Sequence, residues 1–144
     1  MVRYVFEILQ RNTVPWVLLE NVSFMLQLGK GGALRYVLEN LERLGYRWAY
    51  RVVDTRAFNL PQRRQRVYIL ASLEEDPRNV LLADDVHHFE PESRGAPPGT
   101  ACGFYWTEGV RGLGWAVDAI PTIKGGSTVG VPSPPAVLMP DGTL

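Results

Sequence analysis

Residues 2–72 alternate two kinds of apolar pattern, and that alternation restricts the fold more than any other feature of the chain. Val2, Val5, Phe6 and Leu9 follow the spacing of one helical face. Pro15 biases Val14 away from helical geometry, so "TVP" ends this helix. Trp16 to Leu19 form a short continuous apolar run, the pattern of a strand covered on both faces. Leu34, Val37, Leu38 and Leu41 then place a second apolar face on a helix over 33–44, with Gly45 as its stop signal. "RWAYRVVD" at 47–54 is rich in aromatic and β-branched residues and reads as a strand. "TRAFNLPQRR" reads as a connecting loop, and "RVYILAS" at 66–72 as a further strand.

Helix, strand, helix, strand, strand is an α/β pattern. The expected architecture is a partial doubly wound sheet with a parallel strand, a helix and an antiparallel strand pair. After residue 74 prolines and glycines crowd between short apolar clusters, as in a small, loop-rich β segment. The chain therefore divides, on sequence, into 1–73 and 74–144.

Other features limit the function. No apolar run approaches the roughly 20 residues of a membrane span, and the N-terminus lacks the pattern of a signal peptide. A cytoplasmic location without membrane contact is the expectation. Cys102 is the only cysteine, which excludes an internal disulfide and disfavours a metal site built on cysteine. His87 and His88 read as part of a solvated acidic loop, and no metal is expected. "GKGG" at 29–32 and "KGGST" at 124–128 lack the spacing or context of phosphate loops.

Net charge is zero, so no global field points to nucleic acid. Thirteen of the fifteen basic residues are nevertheless arginine, the side chain suited to forked recognition of carboxylates, phosphates and base edges. Arg63, Arg64 and Arg66 cluster in "RRQR".

The clearest chemical constellation joins this cluster to "WVLLENV". Glu20 falls at the C-terminal end of the first strand, where open α/β sheets bind ligands. If the last two strands pair antiparallel, the start of strand 66–72 lies at that same sheet edge. Topology then brings Arg66 to Glu20, with Arg64 within reach of the same rim. A guanidinium favours a charged carboxylate and a dry surrounding favours a neutral one. A group held between these influences suits the sharing of a proton. The plainer reading of such a pair is a rim salt bridge.

Glu20-Asn21-Val22, followed some forty residues later by Gln62-Arg63-Arg64-Gln65-Arg66, resembles the paired motifs of the DNA (cytosine-5)-methyltransferase family. The resemblance covers residues 2–73. Residues 103–144, with "IPTIKGG" at 120–126, resemble part of that family's target-recognition region.

The resemblance implies a restriction-modification type of enzyme acting on double-stranded DNA in a bacterium or phage. Methyl passes from S-adenosyl-L-methionine to carbon 5 of a flipped-out cytosine. It implies that Glu20 stabilises charge at ring nitrogen 3 and that Arg66 contacts the base carbonyl and orients Glu20. Arg64 holds the flipped nucleotide, and Asn21 shapes the pocket. Gln62, Arg63, Arg64, Arg111, Lys124, Ser127 and Thr128 are the implied DNA contacts.

The sequence also departs from the family pattern. Its cofactor motif and Pro-Cys nucleophile come before Glu-Asn-Val, whereas 19 residues precede Glu20 here and none is cysteine. Cys102 follows both motifs, lacks a preceding proline and is not assigned as the nucleophile. The expectation is a central fragment, inactive alone, with the cofactor bound mainly by a missing N-terminal part. A truncated gene, one half of a split enzyme with a complementary half as partner, and a non-catalytic DNA-binding module are the three origins considered. The first is preferred.

Overall fold

The computed structural model describes residues 2–83, 99–106, 113–123 and 134–144. The chain is mixed α/β. It groups into two compact units, residues 1–53 with 65–86, and residues 54–64 with 87–144.

The first unit opens with helix α1, Val2–Arg11, and strand β1, Trp16–Val22. A short 3-10 helix, Ser23–Leu26, leads to α2, Gly32–Arg43. Strand β2, Arg47–Asp54, follows. The two-residue strand β3, Gln62–Arg63, belongs to the second unit; strand β4, Gln65–Ser72, and the short helix α3, Arg78–Leu81, return to the first. The sheet order is β1-β4-β2, so β4 is central and β1 lies at an edge. Strands β1 and β4 run antiparallel with Trp16 opposite Ser72 and Val22 opposite Arg66.

One sheet face meets the helices. Val17, Val67, Ile69 and Ala71 pack with Phe6 of α1 and with Val37 and Leu41 of α2. These strand residues alternate as a half-buried strand requires, and the helical residues recur at helical spacing. The helix α2 ends in a Schellman cap. Gly45 N–H donates to Glu42 C=O at 2.9 Å and Tyr46 N–H to Leu41 C=O at 3.0 Å. Gly45 takes φ +85°, where an L side chain is disfavoured. Tyr46 then buries its ring in the core and donates its hydroxyl to Val14 C=O at 2.7 Å.

Three expectations change. Strand β1 continues through Glu20 and Asn21 to Val22, because the ladder with β4 extends over all seven residues. It is also not covered on both faces: Leu18 is 62% exposed. A continuous apolar run does not distinguish a two-sided strand from one with an open face. Finally, "TRAFNLPQRR" is more than a loop. Asp54 caps a 3-10 helix, Thr55–Phe58, by accepting Arg56 N–H at 3.1 Å. Strand β3 follows it.

In the second unit, β5 (Cys102–Trp106) lies between β6 (Leu113–Val117) and β8 (Ala136–Leu138), antiparallel to both. Strand β7, Ile120–Pro121, pairs in parallel with β3. Gly103 permits a close crossing here. A Cβ at Gly103 would meet the Ala119 carbonyl oxygen, and would lie 2.6 Å from Ile120 Cα. Phe104 and Trp115, register partners in β5 and β6, stack at 6.3 Å between ring centroids.

Candidate functional site

The phase of the β1–β4 ladder determines what faces what. Leu73 N–H donates to Pro15 C=O at 3.1 Å, which makes this pair hydrogen-bonded. Bonded and non-bonded pairs alternate in an antiparallel ladder. Val17/Ala71, Leu19/Ile69 and Asn21/Val67 are therefore bonded pairs, while Glu20/Tyr68 and Val22/Arg66 are non-bonded. Side chains approach more closely in non-bonded pairs. The Val22 N–H correspondingly turns away from β4 and is taken by Asn21 Oδ1 at 2.8 Å.

Glu20, Val22, Arg66 and Tyr68 share the sheet face opposite the helical core by this register. Arg66 Nε meets Glu20 Oε1 at 2.8 Å, joining the two diagonally across the strands. Arg66 Nη1 also donates to Gln65 C=O at 2.8 Å, which fixes the guanidinium from behind. The Arg66 side chain is 17% exposed and that of Glu20 is 47% exposed. Glu20 Oε2 accepts no hydrogen bond among the described residues. Among the described residues, the carboxylate thus has one oxygen held by Arg66 and a second without a hydrogen-bond donor.

A cleft of about 360 Å³ lies along the β1 edge, lined by Val2 and Val5 of α1, Leu18 of β1, Leu19 and Ile69 of the helix-covered sheet face, Met25 and Val37, together with Glu20 and Asn21. Arg66 and Tyr68, on the opposite face, are not among its lining residues. The apolar spacing of Val2, Val5 and Leu18 marks them only as core positions. Their role as cleft walls depends on β1 lying at a sheet edge, which apolar spacing does not report.

The other candidates fall in different places. Arg64 belongs to the second unit, where its carbonyl accepts Thr55 N–H at 3.2 Å. Gln62 and Arg63 form β3 in that same unit. The Arg63 carbonyl accepts the Thr122 hydroxyl at 2.9 Å, and Gln62 C=O accepts the hydroxyl of Thr55. Arg111, Lys124, Ser127 and Thr128 lie outside the described residues, as do His87 and His88. Cys102 is buried, 3% exposed, within β5, and its Sγ lies 3.8 Å from Thr100 C=O. Among the described residues no group of three or more His, Cys, Asp or Glu side chains could hold a metal ion. No helix among them is long and apolar enough to cross a membrane.

Comparison with known proteins gives this geometry a context. A family model described as C-5 cytosine-specific DNA methylase matches residues 1–100. Type II methyltransferase M2.BsuMI of Bacillus subtilis (strain 168) is 51% identical over 148 residues, covering 97% of this chain and 38% of its own length. Type II methyltransferase M.BsuFI of Bacillus subtilis is 42% identical over 66 residues, covering 46% of this chain and 16% of its own. A crystal structure of S. pombe Dnmt2 methyltransferase aligns with a TM-score of 0.45 and 23% identity, covering 62% of this chain and 28% of that chain. This chain thus spans less than half the length of these relatives. With the family model matched over residues 1–100 of 144, the chain belongs to the C-5 cytosine-specific DNA methylase family.

Proposed function

We propose that this chain is the part of a DNA (cytosine-5)-methyltransferase that holds the flipped-out cytosine through Glu20 and Arg66. The 2.8 Å pair between Arg66 Nε and Glu20 Oε1 is the observation that carries this reading. With Glu20 about half exposed, such a pair adds only about 0–1 kcal/mol to folding. Its arrangement is better accounted for by chemistry at the second oxygen.

In this reading a thiolate attacks carbon 6 of the ring, and electron density moves towards ring nitrogen 3. Glu20 meets that nitrogen with its second oxygen, by a strong hydrogen bond or a proton. Arg66 holds the first oxygen and contacts the base carbonyl. Asn21 closes the end of β1 through Val22 N–H, leaving the chemistry to Glu20.

Residues 1–73 are then the C-terminal half of the catalytic domain, and 74–144 part of the target-recognition region. Gln62, Arg63, Arg64, Arg111, Lys124, Ser127 and Thr128 are proposed to contact double-stranded DNA. The proposal includes restriction-modification methylation in the cytoplasm of a bacterium or phage host.

S-adenosylmethionine is the methyl donor in this reading. The described residues do not fit that cofactor. The Gly29, Gly31 and Gly32 stretch before α2 is separated from β1 by a 3-10 helix, so it forms no direct strand-to-helix phosphate or adenosine turn. The single cysteine is buried within strand β5. We therefore assign donor and nucleophile to other segments of the enzyme, and expect the 144-residue chain alone to be inactive.

The test is a hybrid enzyme in which these residues replace the matched segment of the Bacillus subtilis relative that is 51% identical. Incubated with labelled S-adenosylmethionine and DNA, it should produce 5-methylcytosine. A soluble, folded hybrid that methylates only nitrogen 4 of cytosine, or adenine, would refute the assignment.

A further inference from the structure

We propose that Tyr68 is a positioning residue for Glu20, an inference that rests on the function proposed above. The ladder phase makes Glu20/Tyr68 a non-bonded pair, so these side chains are close neighbours on one sheet face. Arg66 lies two residues before Tyr68 on that face and binds Glu20 Oε1 at 2.8 Å. Glu20 is therefore flanked by a diagonal guanidinium and a directly opposite aromatic side chain.

The two neighbours restrict different freedoms. A single ion-pair contact from Nε holds one oxygen but leaves the carboxylate able to rotate about it. A bulky ring across the strand limits the χ angles from which that contact can be made. Tyr68 is half-buried, and its hydroxyl has no partner among the described residues. Its phenol group is thus not needed to satisfy a buried polar atom. The ring, rather than the hydroxyl, is the feature that acts on Glu20.

The consequence belongs to turnover rather than to DNA affinity. A misplacement of about 1 Å at a reacting group can cost about a hundredfold in rate. In the hybrid enzyme, Tyr68→Leu should lower kcat by roughly tenfold to a hundredfold. KM for DNA and the thermal transition should change little. Tyr68→Phe should retain the parent kcat, because the ring remains.

A parent-like kcat in Tyr68→Leu would overturn the proposal. So would equal losses in the Leu and Phe variants, which would assign the effect to the hydroxyl. A rise in KM that accounts for the whole defect would also overturn it. If Tyr68→Leu does not fold, Tyr68→Met is judged by the same criteria. Glu20→Gln serves as the control in the same hybrid. If Glu20→Gln slows methyl transfer while Tyr68→Leu does not, only the Tyr68 role fails. If neither variant slows it, the cytosine-pocket reading fails with it.

Discussion

At the scale of single residues, the site is a held carboxylate beside a held guanidinium. Arg66 uses a forked, planar group, with Nε on Glu20 and Nη1 on the Gln65 carbonyl. Lysine presents a single point of donation on a flexible stem and cannot make both contacts in that geometry. Arg66→Lys in the hybrid enzyme should therefore reduce kcat by on the order of a hundredfold, the usual cost of losing one preorganised donor. Steady-state methylation kinetics would check this. The Glu20–Arg66 pairing was legible in the sequence because strand direction places the start of one strand against the end of another. Tyr68 was not legible as part of the site. Its relation to Glu20 depends on register and ladder phase, which shift with a single residue of slippage.

A second residue pair gives a pH prediction unrelated to the site. Arg78 donates from its side chain and its backbone N–H to Asp76, and holds that carboxyl down at about 2 from 3.8. A carboxyl depressed in the folded chain contributes stability above its unfolded value. That contribution falls away as pH drops from about 3.8 through about 2. Carboxyl-carbon NMR should show Asp76 titrating near 2, and Asp76→Asn should remove this part of the acid dependence.

At the scale of elements, the helices and long strands follow local pattern, whereas edges and short strands depend on distant partners. The spacing of Leu34, Val37, Leu38 and Leu41, and the position of Gly45, were sufficient to define α2 and its cap. Gly45→Ala should cost about 1–2 kcal/mol, the penalty for an L residue in left-handed geometry. A Cβ there would meet Leu73 Cδ2 at an ordinary 3.7 Å, so backbone conformation accounts for the loss. Chemical denaturation would measure it. Strand β3 had no such local signature. Two residues of polar sequence become a strand only because Ile120 and Pro121 pair with them. Gly103 likewise carries no signal of its close crossing. Gly103→Ala should cost about 1–3 kcal/mol or more, since backbone atoms rather than a flexible side-chain end would have to move.

At the scale of the whole molecule, the chain forms two units, and in the first β1 has β4 as its one strand neighbour among the described residues. The ladder phase turns the Leu18 and Glu20 backbone groups away from β4, and Leu18 itself is 62% exposed. Unpaired edges with apolar side chains favour association. The 144-residue chain should self-associate with increasing concentration, and Leu18→Lys should shift it towards monomer in sedimentation experiments. An unchanged distribution would locate the association elsewhere.

The central claim is that the second oxygen of Glu20 acts on the cytosine ring. Its most direct test is the single-turnover rate of methyl transfer by the hybrid enzyme carrying Glu20→Gln. The rate should fall by about 10²- to 10⁴-fold, the range for loss of a positioned acid or base, while DNA affinity is retained. A rate equal to that of the parent hybrid would contradict the claim.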